Sequence, residues 1–277
     1  MGSLRDELSG APLGHATSYP DAYDAALLFR VPRAPQRREI GIEGALPFTG
    51  NDRWTAFELT WVDEHGKPEV AIVSFEVPAT SPAIVESKSV KLYLGSFAQT
   101  PFASADAVSA TIARDLTKAV DAPVAVTLIA PPEFARLRIA ALDGENLDAQ
   151  AIAIDRYDVD PSVLAAAGSP VAETVRSDLF RSLCPVTGQP DFASVGIAYR
   201  GPRIDRACLL RYLVSYRHHA GFHEHCAERI FVDMMAACRC ETLSVHMRFT
   251  RRGGVDINPF RTNAGVPAPA DVRTARQ

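Results

Sequence analysis

The sequence predicts an α+β protein built from two tandem domains, each an antiparallel sheet with two helices packed on one face. Three observations lead there. The order strand, strand, helix, helix, strand can be read twice along the 277 residues, which suits sheets covered on one side. The strands show period-two alternation, and the helices show apolar stripes at a spacing of four. No Gly-x-Gly-x-x-Gly follows a strand and no Gly-x-x-x-x-Gly-Lys-Ser/Thr occurs, so neither common phosphate-binding strand-to-helix loop is supported.

The first fifty residues are rich in Pro, Gly and Arg and show little periodicity; they read as a wrapping or linking segment. From Trp54 the chain becomes regular. Residues 56–62 alternate as a strand, and 70–77 form a second, closed by Pro78. Val85 to Phe97 fits a helix. Ser104 to Val120 fits another, with Ser104 as N-cap, Asp106 in the first turn, and Val108, Ile112, Leu116 and Val120 as one stripe. Residues 124–129 read as a strand stopped by Pro131-Pro132, and Arg136 to Leu142 as a further strand. In the second half, strands are expected at 173–180 and 192–199, the latter ended by Gly201-Pro202. Helices follow at about 205–218 and 223–238, broken at Gly221, and 241–249 closes as a strand. Residue identities do not visibly repeat, so the repeat is one of architecture. The domains are expected at 1–145 and 146–277, with an Ala- and Asp-rich linker between 143 and 172.

Composition is that of a soluble globular chain: 47% hydrophobic, 22% charged, and a net charge of −4 from 29 basic and 33 acidic residues. That balance gives no support for a nucleic-acid partner. Arg5, Asp6 and Glu7 near the start are unlike a secretory signal, Asp6 stands where a myristoylation signal wants Ser or Thr, and no stretch reaches the roughly 20 apolar residues of a membrane span. Five cysteines in a chain of this size suit a reducing cytoplasm.

The most informative residue is Cys184, in Arg181-Ser182-Leu183-Cys184-Pro185-Val186-Thr187-Gly188-Gln189-Pro190-Asp191. Its following proline, a glycine and a second proline make this a loop. A loop thiol seven residues before a carboxylate is where a nucleophile and its proton donor can meet; the bland alternative is a structural cysteine. Glu86-Ser87-Lys88-Ser89-Val90-Lys91-Leu92-Tyr93 opens a helix, and Lys88 and Lys91 share a face that could hold phosphates. A solvated amphipathic helix is the alternative there. His223-Glu224-His225-Cys226, with Cys238 and Cys240, invites a zinc reading. Spacing weakens it, since Cys238 lies roughly 18 Å along the helix from Cys226. Glu224 is better suited to accept hydrogen bonds from a guanine-like edge. Arg251-Arg252-Gly253-Gly254 suits a phosphate or carboxylate, or is simply a charged turn.

Together these motifs resemble the NADPH-dependent nitrile reductases that convert 7-cyano-7-deazaguanine to its 7-aminomethyl form in queuosine biosynthesis. The Glu86–Tyr93 signature is met at every position. The Cys184–Asp191 loop, Phe222-His223-Glu224-His225 and Arg251-Arg252-Gly253-Gly254-Val255-Asp256-Ile257-Asn258-Pro259 resemble the same family, over about residues 15 to 265. The signature and the Cys loop fall in different halves, and Asp205-Arg206-Ala207-Cys208-Leu209-Leu210 stands where a second signature would be. This is similar to the family's long, two-domain form.

The resemblance implies two tunnelling-fold (T-fold) domains, sites between domains and a homodimer. It implies Cys184 as nucleophile forming a covalent thioimide, Asp191 as proton donor and His223 beside the substrate in proton transfer. It implies Val85, Glu86, Ser87, His223 and Glu224 as substrate-binding residues, and Ser87, Lys88, Arg252 and Gly253 as NADPH-binding residues. Two NADPH per nitrile are expected, and no metal. The rivals are a zinc-dependent GTP cyclohydrolase-like hydrolase and a non-catalytic purine- or pterin-binding oligomer; a metal assay and NADPH oxidation discriminate them.

Overall fold

The computed structural model describes residues 19–277; the reading of Arg5, Asp6 and Glu7 lies outside them. The chain divides into two compact units whose segments interleave. Unit one holds the described residues up to Glu39, then Asp52–Leu137 and Arg251–Ile257; unit two holds Ile40–Asn51, Arg138–Thr250 and Asn258–Gln277.

Unit one contains β1 (Arg30–Pro32), α1 (Ala34–Glu39), most of β2 (Thr49–Val62), β3 (Pro68–Pro78), β4 (Ala83–Val85), α2 (Ser87–Gly95), α3 (Ala105–Val120) and β5 (Ala125–Ile129). β5 and β2 flank β3, and β1 pairs antiparallel with β4, Arg30 opposite Val85. The predicted stripe of α3 is fully buried, with Val108, Ile112, Leu116 and Val120 all at 0% exposure. They meet Val90, Tyr93, Leu94 and Phe97 from α2, and Trp54, Leu59, Val73 and Phe75 from the sheet. Each such side chain contributes about 1.5–3 kcal/mol on leaving water. Ser104 caps α3 by accepting from the Ala107 N–H at 3.2 Å, and Asp121 ends it in the left-handed region at φ 55°. The expected wrapping segment does more than link: buried Arg33 pairs with buried Asp52, and Arg37 donates to the Ala79 carbonyl at 2.6 Å.

Unit two contains β6 (Glu145–Asn146), β7 (Ala166–Leu183), β8 (Pro190–Ile204), α4 (Arg206–Val214), α5 (His223–Cys238), β9 (Thr242–Phe249) and the end of β10 (Val255–Thr262). The strand order is β10-β9-β8-β7-β6, antiparallel except for β6 against β7. α5 buries Cys226, Ala227, Ile230, Phe231 and Met234, all at 0% exposure, and ends at Arg239 with φ 51°.

Three sequence expectations are corrected. Residues 136–142 form no strand; Pro131–Arg136 is a 3-10 turn and Ile139 makes only an isolated bridge to Arg273. Gly201-Pro202 does not end β8, which runs on to Ile204 with Pro202 opposite Pro170. The β9 pairing of β8 covers Ala193 to Arg200. Pro202 therefore sits where the strand has one neighbour, and its missing N–H breaks no ladder. Residue identities also recur. Glu86 and Asp205 both cap helices, and Tyr93 and Tyr212, each seven residues later, donate to Asp115 at 2.8 Å and Asp233 at 2.6 Å.

Candidate functional site

In unit two, β7 and β8 are joined by a hairpin that carries Cys184. The Cys184 N–H donates to the Gln189 carbonyl at 2.9 Å and the Gly188 N–H to the Cys184 carbonyl at 2.9 Å. These bonds close the loop that Pro185 prevents from continuing as strand. Gly188 turns at φ 69°, a left-handed conformation that favours glycine. Across the hairpin Asp191 stands opposite Ser182, so their side chains share a face. Period-two alternation puts Cys184 on that face as well. Cys184 is 4% exposed and Asp191 7%.

The start of α5 is tied to the same place by backbone bonds. The Leu183 N–H donates to the His219 carbonyl at 2.8 Å, and the Gly221 N–H to the Leu183 carbonyl at 3.1 Å. The residue before the cysteine is thus held by the residues before the helix. His223, the first residue of α5, brings Nε2 to 3.4 Å from Asp191 Oδ2. That is an ion-pair separation, longer than a working hydrogen bond. Its ring lies flat on Phe249, centroids 3.7 Å apart and planes 8° from parallel. Among the described residues, His223 Nδ1 has no hydrogen-bond partner. Glu224, next on the helix, is 3% exposed.

Burial sets the character of the neighbouring groups. Desolvation pushes the Cys226 thiol up to about 12, against a lowering contribution from Ser182. Desolvation, then the charges of His225 and Arg229, hold His219 down at about 4. Gly221 leaves room for these rings: a Cβ there would stand 2.8 Å from His219 Nε2. All five cysteines are free, and among the described residues no group of three or more His, Cys, Asp or Glu is placed to hold a metal.

Unit one assembles the other predicted residues. Val85 ends β4, and the Glu86 N–H donates to the Phe29 carbonyl at 2.9 Å. The fully buried Glu86 carboxylate accepts from the N–H groups of Lys88 and Ser89, each at 2.8 Å. Glu86, which the sequence puts where a helix N-terminus favours an anion, is therefore the N-cap of α2, and its Oε1 also accepts from the Ser87 hydroxyl at 3.5 Å. The Arg252 N–H donates to the Val255 carbonyl at 2.9 Å across Gly253 and Gly254, at φ 62° and 78°, a type I′ turn that two glycines suit. A Cβ on Gly253 would lie 3.3 Å from the Cδ and Cε of Lys91. The Lys91 stem of α2 therefore packs against Gly253, next in sequence to Arg252, and Ser87 and Lys88 lie on the same helix. That donor set fits the phosphates of a dinucleotide.

Cys184, Asp191, His223 and Glu224 are placed in unit two, and Val85, Glu86, Ser87, Lys88, Arg252 and Gly253 in unit one. Two clefts in unit two lie elsewhere. One of 570 Å³ is bordered by Arg203, Asp205 and Arg206, and one of 380 Å³ by Thr174, Ser244 and His246; neither is lined by a predicted site residue. The functional neighbour that sequence reasoning missed is Phe249, whose contact with His223 leaves no periodic signal.

Comparison with known proteins bears on both halves. A family described as "Nitrile reductase, 7-cyano-7-deazaguanine-reductase N-term" matches residues 19–128, and one described as "QueF-like protein" matches residues 190–267. The chain is 56% identical over 269 residues to a Burkholderia ambifaria protein named NADPH-dependent 7-cyano-7-deazaguanine reductase, covering 96% of this chain and 98% of that one. It is 55% identical over 271 residues to a Bordetella avium protein of the same name, covering 98% and 99%. A solved apo structure of an archaeosine synthase QueF-Like covers 36% of this chain and 99% of its own, at 24% identity and a TM-score of 0.31, too shallow an overlap to carry an argument.

Proposed function

The chain belongs to the family of NADPH-dependent 7-cyano-7-deazaguanine reductases, and from that premise we propose the roles of its residues. The reaction is the four-electron reduction of the nitrile to the 7-aminomethyl group, a step of queuosine biosynthesis. The observation that carries the residue assignment is the placement of Asp191 on the Cys184 face of the hairpin with His223 Nε2 3.4 Å from its carboxylate.

Cys184 adds to the nitrile carbon. One S–C bond forms, one C–N π bond breaks, and a proton reaches nitrogen to give the thioimide. Asp191 supplies that proton and is reset through His223, whose flat stack on Phe249 fixes the ring. Breaking the S–C bond after the first reduction returns the thiolate with which Cys184 attacked and leaves an imine, whose reduction takes its nitrogen proton from the same pair. NADPH supplies a hydride for each of the two reductions when bound. Ser87, Lys88, Arg252 and Gly253 would hold it, a reading supported by Lys91 packing against Gly253 so that cations of α2 meet the Arg252-Gly253 turn. Val85, Glu86, Ser87, His223 and Glu224 are assigned to the substrate, the carboxylates accepting from ring N–H and exocyclic amine.

The finer architecture belongs to the same reading. Each unit is a T-fold domain, supported by the repeated strand-strand-helix-helix-strand order and by the matched Glu86/Asp205 caps and Tyr–Asp pairs. The protein acts as a cytoplasmic homodimer without a nucleic-acid partner, a reading supported by free thiols and modest net charge. No described helix is long and apolar enough to cross a membrane.

Intact mass spectrometry tests the core of the proposal. Protein mixed with 7-cyano-7-deazaguanine and no NADPH gains the mass of the nitrile on Cys184, and Cys184→Ala gains none. Turnover by Cys184→Ala, or wild-type protein that consumes NADPH without ever forming the adduct, refutes it.

A further inference from the structure

Resting on that reading, we infer that Gln277 is a positioning residue for His223, acting through Phe249. The Gln277 side chain is 4% exposed and all four of its hydrogen-bonding positions are used. Its Oε1 accepts from Arg248 Nε and from the Thr274 N–H, each at 2.9 Å. Its Nε2 donates to the Phe249 carbonyl at 3.0 Å and to Asn258 Oδ1 at 2.8 Å. Asn258 Oδ1 in turn accepts from the Phe249 N–H at 3.2 Å. Both backbone groups of Phe249 are thus held by one two-residue amide clamp. Arg248, 2% exposed, anchors the clamp from the other side through Asp271 at 2.8 Å.

Phe249 is the last residue of β9, opposite Ala193 of β8, and its own N–H and carbonyl are taken by side chains rather than by a neighbouring strand. Its ring is 0% exposed, meets Phe180 edge-on at 5.9 Å and forms the floor under His223 at 3.7 Å. Phe222 caps α5 with no side-chain bond, so no capping side chain braces the imidazole of His223. What sets the imidazole plane is the ring beneath it, and what sets that ring is the Gln277–Asn258 clamp. Reactive groups must be held to within a fraction of an ångström, and a shift of about 1 Å can cost as much as a hundredfold in rate.

Gln277→Glu and Gln277→Ala separate positioning from folding. The glutamate variant keeps the acceptor for Arg248 and for Thr274 but loses both donors. Asn258 can satisfy the new carboxylate only by turning its own oxygen away from Phe249. Covalent adduct on Cys184, formed with the nitrile alone, counts the folded reactive sites in each preparation, and kcat for NADPH oxidation is then expressed per titrated site. The expected result is wild-type adduct formation, a KM for the nitrile within about twofold, and kcat per site reduced about tenfold in both variants. Gln277→Glu should melt at or above the temperature of Gln277→Ala. An unchanged kcat per titrated site in Gln277→Glu overturns the inference, because Gln277 would then only hold the fold together. Wild-type protein that forms no adduct overturns the catalytic reading beneath it and this inference with it.

Discussion

Asp191→Asn is the sharpest test of the chemistry. Asparagine has the same shape and can keep its place opposite Ser182 in the hairpin, so the loop should survive. What disappears is the transferable proton of a carboxyl 3.4 Å from His223 Nε2. The two side chains are only 7% and 14% exposed, so solvent screens them weakly. General acid catalysis by a positioned group is worth about 10²–10⁴ in rate. The expected loss in kcat is therefore about 10²–10³, with nitrile affinity changed no more than about threefold, since binding is assigned to other carboxylates. Rapid quenching followed by intact mass should show the Cys184 adduct forming slowly, because the thioimide nitrogen lacks its proton donor. Adduct formation at the wild-type rate with kcat within about threefold would show that Asp191 does no proton transfer. A raised KM alone would move it into substrate binding.

Two further outcomes test other parts of the structure. Gly253→Ala places a Cβ 3.3 Å from the Lys91 stem at φ 62°; a left-handed non-glycine residue costs about 1–2 kcal/mol, so urea unfolding should show a stability loss of that size, and displacement of Lys91 should raise KM for NADPH while NADPH-free adduct formation is unchanged. Desolvation holds His219 at about 4, below its unfolded value of about 6.5. The unfolded chain therefore takes the proton first, and stability present above about pH 6.5 is lost as pH falls through 4, by up to about 3 kcal/mol. Urea titrations at both pH values check this, and His219→Leu should flatten the slope.

What could be read from the sequence follows from where the information sits. The stripe of α3 was legible because a buried helical face repeats at short range, and Ser104 because capping is a local bond. Cys184 was legible as a loop thiol because Pro185 acts on its nearest neighbours. The approach of His223 to Asp191 depends instead on Leu183 bonding to His219 and Gly221, a register between distant segments that no periodicity encodes. The end of β8 was misplaced because Gly201-Pro202 reads as a stop; there the number of neighbours the strand has decides that proline is tolerated. Glu86 was legible at a helix N-terminus, where an anion is favoured, because that preference is local; its carboxylate accepts from the N–H groups of Lys88 and Ser89.

The recurrence of Glu86, Tyr93 and Asp115 as Asp205, Tyr212 and Asp233 shows which part of the architecture is shared and which has diverged. A capping carboxylate satisfies helix N–H groups, and a buried tyrosine hydroxyl needs an acceptor, so these positions are held by the demands of the scaffold in either unit. The residues between them answer to no such demand. Where unit one has Ser87, Lys88 and Lys91, unit two has Arg206, Ala207 and Leu210. Arg206 is the one cation in that set, and it is bound at 2.9 Å to each of Glu145 and Glu173. A guanidinium engaged by two carboxylates offers little to a phosphate, and alanine and leucine offer nothing. The start of α4 therefore shares the capped fold of the α2 start without the cations for which we propose phosphate binding, while the hairpin of the same unit carries Cys184, the proposed nucleophile. Selection for the scaffold and selection for the reaction act on different residues of one repeated frame.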